Sequence, residues 1–250
     1  MRWQAAAMAV LGAAAAAPAW AVAGGDAAAH DARMRVQIVA VQQTTLSAEI
    51  AAKIAALPLR EGDAFRAGQL LVGFDCDLYR ASLARAEAEA DAARKTVDVD
   101  QRLSQLHSIG QLDVAQAEAK LHETAAGVAA MQATVRRCSI VAPFAGRVVK
   151  RRAEPYQYVE QGSPLLDIVD TRQLEVRLIV PSRWLVWLRR DEPFAVHVDD
   201  LERDYHARVV RIGARVDPVN QSVDVVGRIN GAPAELLPGM SGWAQFAAHP

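Results

Sequence analysis

The pattern of apolar and polar positions divides the chain into stretches of different period. From Arg33 to Leu46 apolar and polar residues alternate, with Val36, Ile38 and Ala40 on one face, which predicts a strand. From Ile50 to Asp75 short apolar runs are punctuated by Pro58, Gly62, Gly68 and Gly73, as in a series of short strands and turns. Between Asp75 and Arg137 alanine, leucine, glutamate, arginine and glutamine take over, with no proline and only Gly110 and Gly127, so this stretch is helical. From Ser139 to Phe246 strand and turn signals return, punctuated by Pro143, Gly146, Pro155, Gly162, Pro164, Pro181, Pro193, Pro218 and Pro238.

The helical stretch carries two heptad seams. Cys76, Tyr79, Leu83, Ala86, Ala90, Ala93 and Val97 form the first, and Val114, Ala117, Leu121, Thr124, Val128, Met131, Val135 and Cys138 the second, in steps of three and four. If the chain reverses near His107, facing residues have numbers that add to 214, so Leu83 faces Met131, Ala86 faces Val128 and Val97 faces Ala117. Small residues then mostly meet large ones, as a close-packed antiparallel hairpin requires. Asp77 to Leu106 alone gives a helix of about 45 Å, too long for a small β domain to enclose. The seam weakens near Asp100 and Ser104.

Composition and charge narrow the function classes. The net charge is −1 and the basic cluster that stands out is Lys150, Arg151 and Arg152, so nothing asks for nucleic acid. Alanine inflates the apolar fraction of 52%, and aromatics make up 6%, which fits several slender modules better than one large core. After Arg2, an uncharged run from Trp3 to Gly25 with Ala19, Ala21 and Ala23 reads as a secretory signal peptide over 1–23, cut after Ala21 or Ala23. An uncleaved anchor is the alternative, but alanine is a poor membrane residue.

The two β stretches repeat one another. When residue n is set against n + 94, Ile54 meets Val148, Phe65 meets Val159, Gly68 meets Gly162, Leu71 meets Leu165, Val72 meets Leu166 and Phe74 meets Ile168. Two copies of one unit, each too small to bury its own apolar face, must pack together, with the helices inserted between them.

These residues resemble a known family. Leu57-Pro58-Leu59-Arg60-Glu61-Gly62-Asp63, with Gly68-Gln69-Leu70-Leu71 and Phe74-Asp75, resembles the first half of the lipoyl-like domain of membrane fusion proteins, the periplasmic adaptors related to HlyD. Ile140-Val141-Ala142-Pro143-Phe144-Ala145-Gly146-Arg147-Val148-Val149 is similar to that family's return strand, and Leu236-Leu237-Pro238-Gly239-Met240 to a segment of its β-barrel. The resemblance implies a mixed, mainly β fold with an inserted α-helical coiled-coil hairpin: a lipoyl-like barrel-sandwich hybrid plus a β-barrel, elongated in shape. The expected segments are 35–75 and 139–170 for the lipoyl-like domain, 76–138 for the hairpin and 171–247 for the barrel. It further implies a periplasmic, non-enzymatic adaptor for efflux or export across the envelope. Its implied partners are an inner-membrane transporter of the resistance-nodulation-division or ABC type, an outer-membrane exit duct, and other copies of itself in a ring. Three departures stand out: Ala52 occupies a usual glycine position, Asp113 stands where the tip pattern has serine, and few residues follow the barrel segment for the membrane-proximal domain many members carry.

Candidate chemistry is sparse. His30, His107, His122, His197, His206 and His249 lack the short spacing of zinc sites, and there is no G-x-S-x-G, H-E-x-x-H or phosphate loop. A lipoyl-type modified lysine would lie where the helices are inserted, so Lys150 reads as a solvated strand residue and no cofactor is expected. A secreted periplasmic binding protein or hydrolase is the alternative class, and it would need a cleft with converging polar groups. Trp184 and Trp187 fit a short helix that closes the barrel; exposed, they would mark a docking patch. The partner-binding residues expected at the hairpin tip are Arg102, Leu106, His107 and Gly110. Cys76 and Cys138 both fall on the seam and their numbers add to 214, which places them face to face at the hairpin base as a possible disulfide; two buried thiols are the alternative.

Overall fold

The computed structural model describes residues 33–231 and 235–247, so the signal-like run of 1–23 lies outside the described residues. Fourteen strands and two long helices follow in the predicted order among these residues. The strands are β1 (Arg33–Ala40), β2 (Gln43–Ser47), β3 (Ala52–Ala56), β4 (Ala64–Phe65) and β5 (Leu70–Phe74), then, after the helices, β6 (Ser139–Val141), β7 (Gly146–Arg151), β8 (Tyr158–Val159), β9 (Pro164–Val169), β10 (Leu174–Pro181), β11 (Pro193–Val198), β12 (Arg203–Asp217), β13 (Ser222–Ile229) and β14 (Ser241–Phe246). The helices are α1 (Asp77–Gln105) and α2 (Gln111–Arg136). The fold is thus mainly β with a two-helix hairpin inserted, together with a closed six-stranded barrel.

The repeat is visible as two four-stranded sheets, β2-β9-β7-β4 and β6-β5-β3-β8. Adding 94 to β2, β3, β4 and β5 gives β6, β7, β8 and β9, so each sheet draws strands from both copies. Hydrogen bonds obey the same rule. The Gly68 N–H donates to the Ala142 carbonyl and the Gly162 N–H to that of Ala48; the Val148 N–H donates to Asp63 and the Ile54 N–H to Gln157. Because each copy completes the other's sheet, Leu71, Val72, Leu165 and Leu166 lie fully buried in one shared core. Gly146 is required there by a close approach, since a Cβ would stand 2.0 Å from the Val169 carbonyl oxygen.

The barrel closes in the order β1-β10-β13-β12-β11-β14. Its core alternates along each strand, as with Val176, Leu178 and Val180 on β10 and Val223 and Val225 on β13. Trp184 and Leu188, on and after the 3₁₀ turn Ser182–Val186, are buried in it, and Trp187 packs against it with its ring centroid 5.9 Å from that of Phe246. The tryptophan pair is therefore core packing. The stretch 35–40, assigned above with the lipoyl-like segment, pairs with β10 and β14 of the barrel instead. A strand that alternates can join any sheet offering a matching apolar face, and its partners here are remote in sequence. The Leu236–Met240 segment completes the seam: the Ile38 N–H donates to the Met240 carbonyl and the Gly239 N–H to that of Ile38.

Candidate docking site at the hairpin tip

The hairpin is built on its seam. Ala90, Ala93, Val97 and Ala117 are buried although two helices alone surround them, because small residues let the backbones approach. Every other seam residue predicted within α1 and α2 is half-buried, and so are Asp100 and Ser104. The outer faces are charged, with exposed ion pairs such as Arg80–Asp77 and Lys120–Glu123.

At the base the helices are tied to the β-sandwich. Cys76 and Cys138 are joined by a disulfide with their Cα atoms 6.0 Å apart, and both are buried in the sandwich core. Cys76 is the N-cap of α1 and makes no side-chain cap bond. The Tyr79 hydroxyl donates to the Ala51 carbonyl at 3.0 Å, and Arg137 lies 3.5 Å from Glu49.

At the far end α1 stops in a Schellman turn. The His107 N–H donates to the Ser104 carbonyl and the Ser108 N–H to that of Leu103, with His107 in the left-handed region at φ 54. Gly110 caps α2 in extended conformation, and its N–H donates to the Asp113 carboxylate at 3.0 Å. The Asp113 side chain, which stands where the family pattern has serine, is thus committed to the N-terminus of α2, where a negative charge is favoured. Arg102, Leu106, His107 and Gly110 are all exposed, and the structure brings the four together across a short turn. Leu106 is 72% exposed and Leu112, which the sequence reading passed over, is 69% exposed. Leu112 escaped notice because a leucine in the first turn of a helix fits the core side as well as the solvent side.

The other candidates are dispersed. His122 and His206 are exposed, His197 Nδ1 lies 2.8 Å from Asp204, and His30 and His249 fall outside the described residues. Among the described residues no group of three or more histidines, cysteines or acids could hold a metal. Titration is displaced in two surface clusters. Arg152, with help from Thr45, holds the Asp167 carboxyl below its usual range. The Tyr205 hydroxyl and Arg203 do the same for Glu235, which ties the segment before Leu236 to β12.

Residues 75–140 match the family model for the α-helical hairpin domain of RND membrane fusion proteins. The nodulation protein NolF of Rhizobium meliloti (strain 1021) is 25% identical over 227 residues, covering 85% of this chain and 62% of NolF. The chain therefore spans less than two thirds of that relative's length. In fold it is similar to a MacA-MexA chimeric protein containing the Pseudomonas aeruginosa MexA α-hairpin domain, with a TM-score of 0.75 and 17% identity over 86% of this chain and 81% of the other. It is also similar to the membrane fusion protein Spr0693 of Streptococcus pneumoniae R6, with a TM-score of 0.73 and 14% identity over 87% and 99%. The resemblance to membrane fusion proteins read from the sequence is borne out in the hairpin and in the architecture.

Proposed function

We propose that this protein is a periplasmic adaptor that couples an inner-membrane transporter to an outer-membrane exit duct in efflux or export. The hairpin carries this reading. Fastened at its base by a disulfide and closed at its end by a hydrogen-bonded turn, it presents Arg102, Leu106, His107, Gly110 and Leu112 to solvent at the end remote from the sandwich, where a partner can reach them. An exposed leucine pair beside an arginine is an apolar contact with a polar rim, the composition of a docking surface. The work is mechanical: the adaptor aligns and seals the two partners and passes movement between them, and no side chain performs covalent chemistry. The barrel and sandwich would face the transporter in a ring of copies, with the leader of 1–23 directing secretion. No helix among the described residues is long and apolar enough to cross a membrane.

Replacing Arg102 and Leu106 together with aspartate tests the reading. Both side chains are exposed, so the variant should fold with unchanged circular dichroism and stay bound to its transporter, while export and cross-linking to the duct are lost. Full export by that variant would remove the tip from the mechanism.

A further inference from the structure

Two linkers join the sandwich to the barrel, 41–42 after β1 and 170–173 after β9. They are bonded to each other: the Val41 N–H donates to the Gln173 carbonyl and the Asp170 N–H to that of Gln42. Beside them a cleft of about 700 Å³ opens between the two domains, with Arg147 and Val149 of β7 on the sandwich wall and Arg177 of β10 and Leu237 on the barrel wall. That size and that place between domains are those of a small-molecule site, where apolar walls hold a few charged groups.

Charge in the cleft is of one sign. Among the described residues that line it the charged ones are Arg147 and Arg177, one from each domain, and no aspartate or glutamate joins them. Arg147 Nη1 donates to the Gly62 carbonyl at 3.0 Å, and the Arg177 side chain makes no hydrogen bond or ion pair among the described residues. Acids close by in the chain are already engaged: Asp63 accepts the Arg60 N–H, Glu61 the Arg151 N–H and Asp170 the Arg172 N–H. Around the two guanidiniums stand apolar side chains that the fold leaves in contact with water, Val41 at 39%, Val149 at 56% and Leu237 at 47% exposure. Such a cleft suits a molecule that is negative at one end and apolar at the other. A neutral apolar ligand would dehydrate the guanidiniums without compensating them, and a cation would be repelled.

We propose that this cleft binds an amphipathic organic anion, its charged group held by Arg147 and Arg177 and its apolar body by Val41, Val149 and Leu237. Held by one arginine from each domain, the anion would fix the angle between sandwich and barrel. The inference goes beyond the adaptor reading and does not depend on it, since the cleft belongs to the two β domains alone. It is tested on the purified protein with two fluorescent probes of one shape, 8-anilinonaphthalene-1-sulfonate and its neutral parent N-phenyl-1-naphthylamine. The sulfonate should bind saturably at one site per chain, more tightly than the neutral probe, and more weakly at high salt because exposed charges are screened. Arg147→Gln with Arg177→Gln should weaken sulfonate binding roughly tenfold and leave the neutral probe unchanged. Arg177→Gln alone removes no contact within the protein, so it reports even if the double variant folds poorly, with a loss of roughly threefold. Val219→Ser, at a site 92% exposed and outside the cleft, should bind as the wild type does. Equal affinity for the two probes, absence of saturable binding, or arginine variants that bind the sulfonate like the wild type would overturn the proposal. So would a loss in Val219→Ser as large as in the arginine variants, which would place the probe elsewhere on the surface.

Discussion

His107 and Tyr156 show how single residues carry local backbone costs. Tyr156 in the second copy occupies the place of Gly62 in the first, at φ 69 against 86, and makes the equivalent bond: its N–H donates to the Ile54 carbonyl as the Gly62 N–H does to that of Val148. The left-handed region costs a residue with a Cβ about 1–2 kcal/mol. At the tip His107 bears that cost in the Schellman turn. His107→Gly should therefore raise stability by about 0.5–1 kcal/mol in urea unfolding, less than the full cost because glycine loses more freedom on folding. A second residue-scale prediction concerns acid. Glu235 has its carboxyl lowered chiefly by the Tyr205 hydroxyl and then by Arg203. A group whose folded pKa is depressed contributes stability above its unfolded pKa and loses it as pH falls through the folded value. Barrel stability should thus decline below the ordinary carboxylate range, near pH 4, and Glu235→Gln should flatten that decline and lower stability at neutral pH, as thermal melts across pH would show.

Among the elements, the hairpin depends most on its junction. Two alanine-rich helices bury little apolar area between them, so their alignment with the sandwich rests on the disulfide, the Tyr79 bond to Ala51 and the Arg137–Glu49 pair. The bridge spans a sequence separation of 62, and the chain entropy it removes from the unfolded state amounts to about 4 kcal/mol. Replacing Cys76 and Cys138 together with alanine should lower unfolding stability by up to that amount and speed amide exchange in the first turn of α1. Exchange and stability indistinguishable from the wild type would mean that packing alone holds the base. The seam itself was legible residue by residue, since a heptad needs only local spacing, whereas the outward burial of Glu175 was not. In the sequence Leu174-Glu175-Val176 reads as an ordinary strand with one polar position, and the arginine that closes over it, Arg211, is 36 residues away.

For the whole molecule, order and symmetry could be derived from the sequence, and pairing could not. Heptad spacing determined that two helices pack along each other and which positions line their seam, because both elements are contiguous and their period is local. The repeat at n + 94 determined that two half-units share a core, because neither half could bury Leu71 or Leu165 by itself. The tip residues followed from the same register, since the centre of an antiparallel pair is its end. Only the tertiary structure decided that β1 leaves the sandwich for the barrel, between β10 and β14, since alternation states which face is buried and not against what. It alone decided that Arg211 of β12 closes over Glu175 of β10, because barrel closure brings strands that are distant in the chain onto one wall.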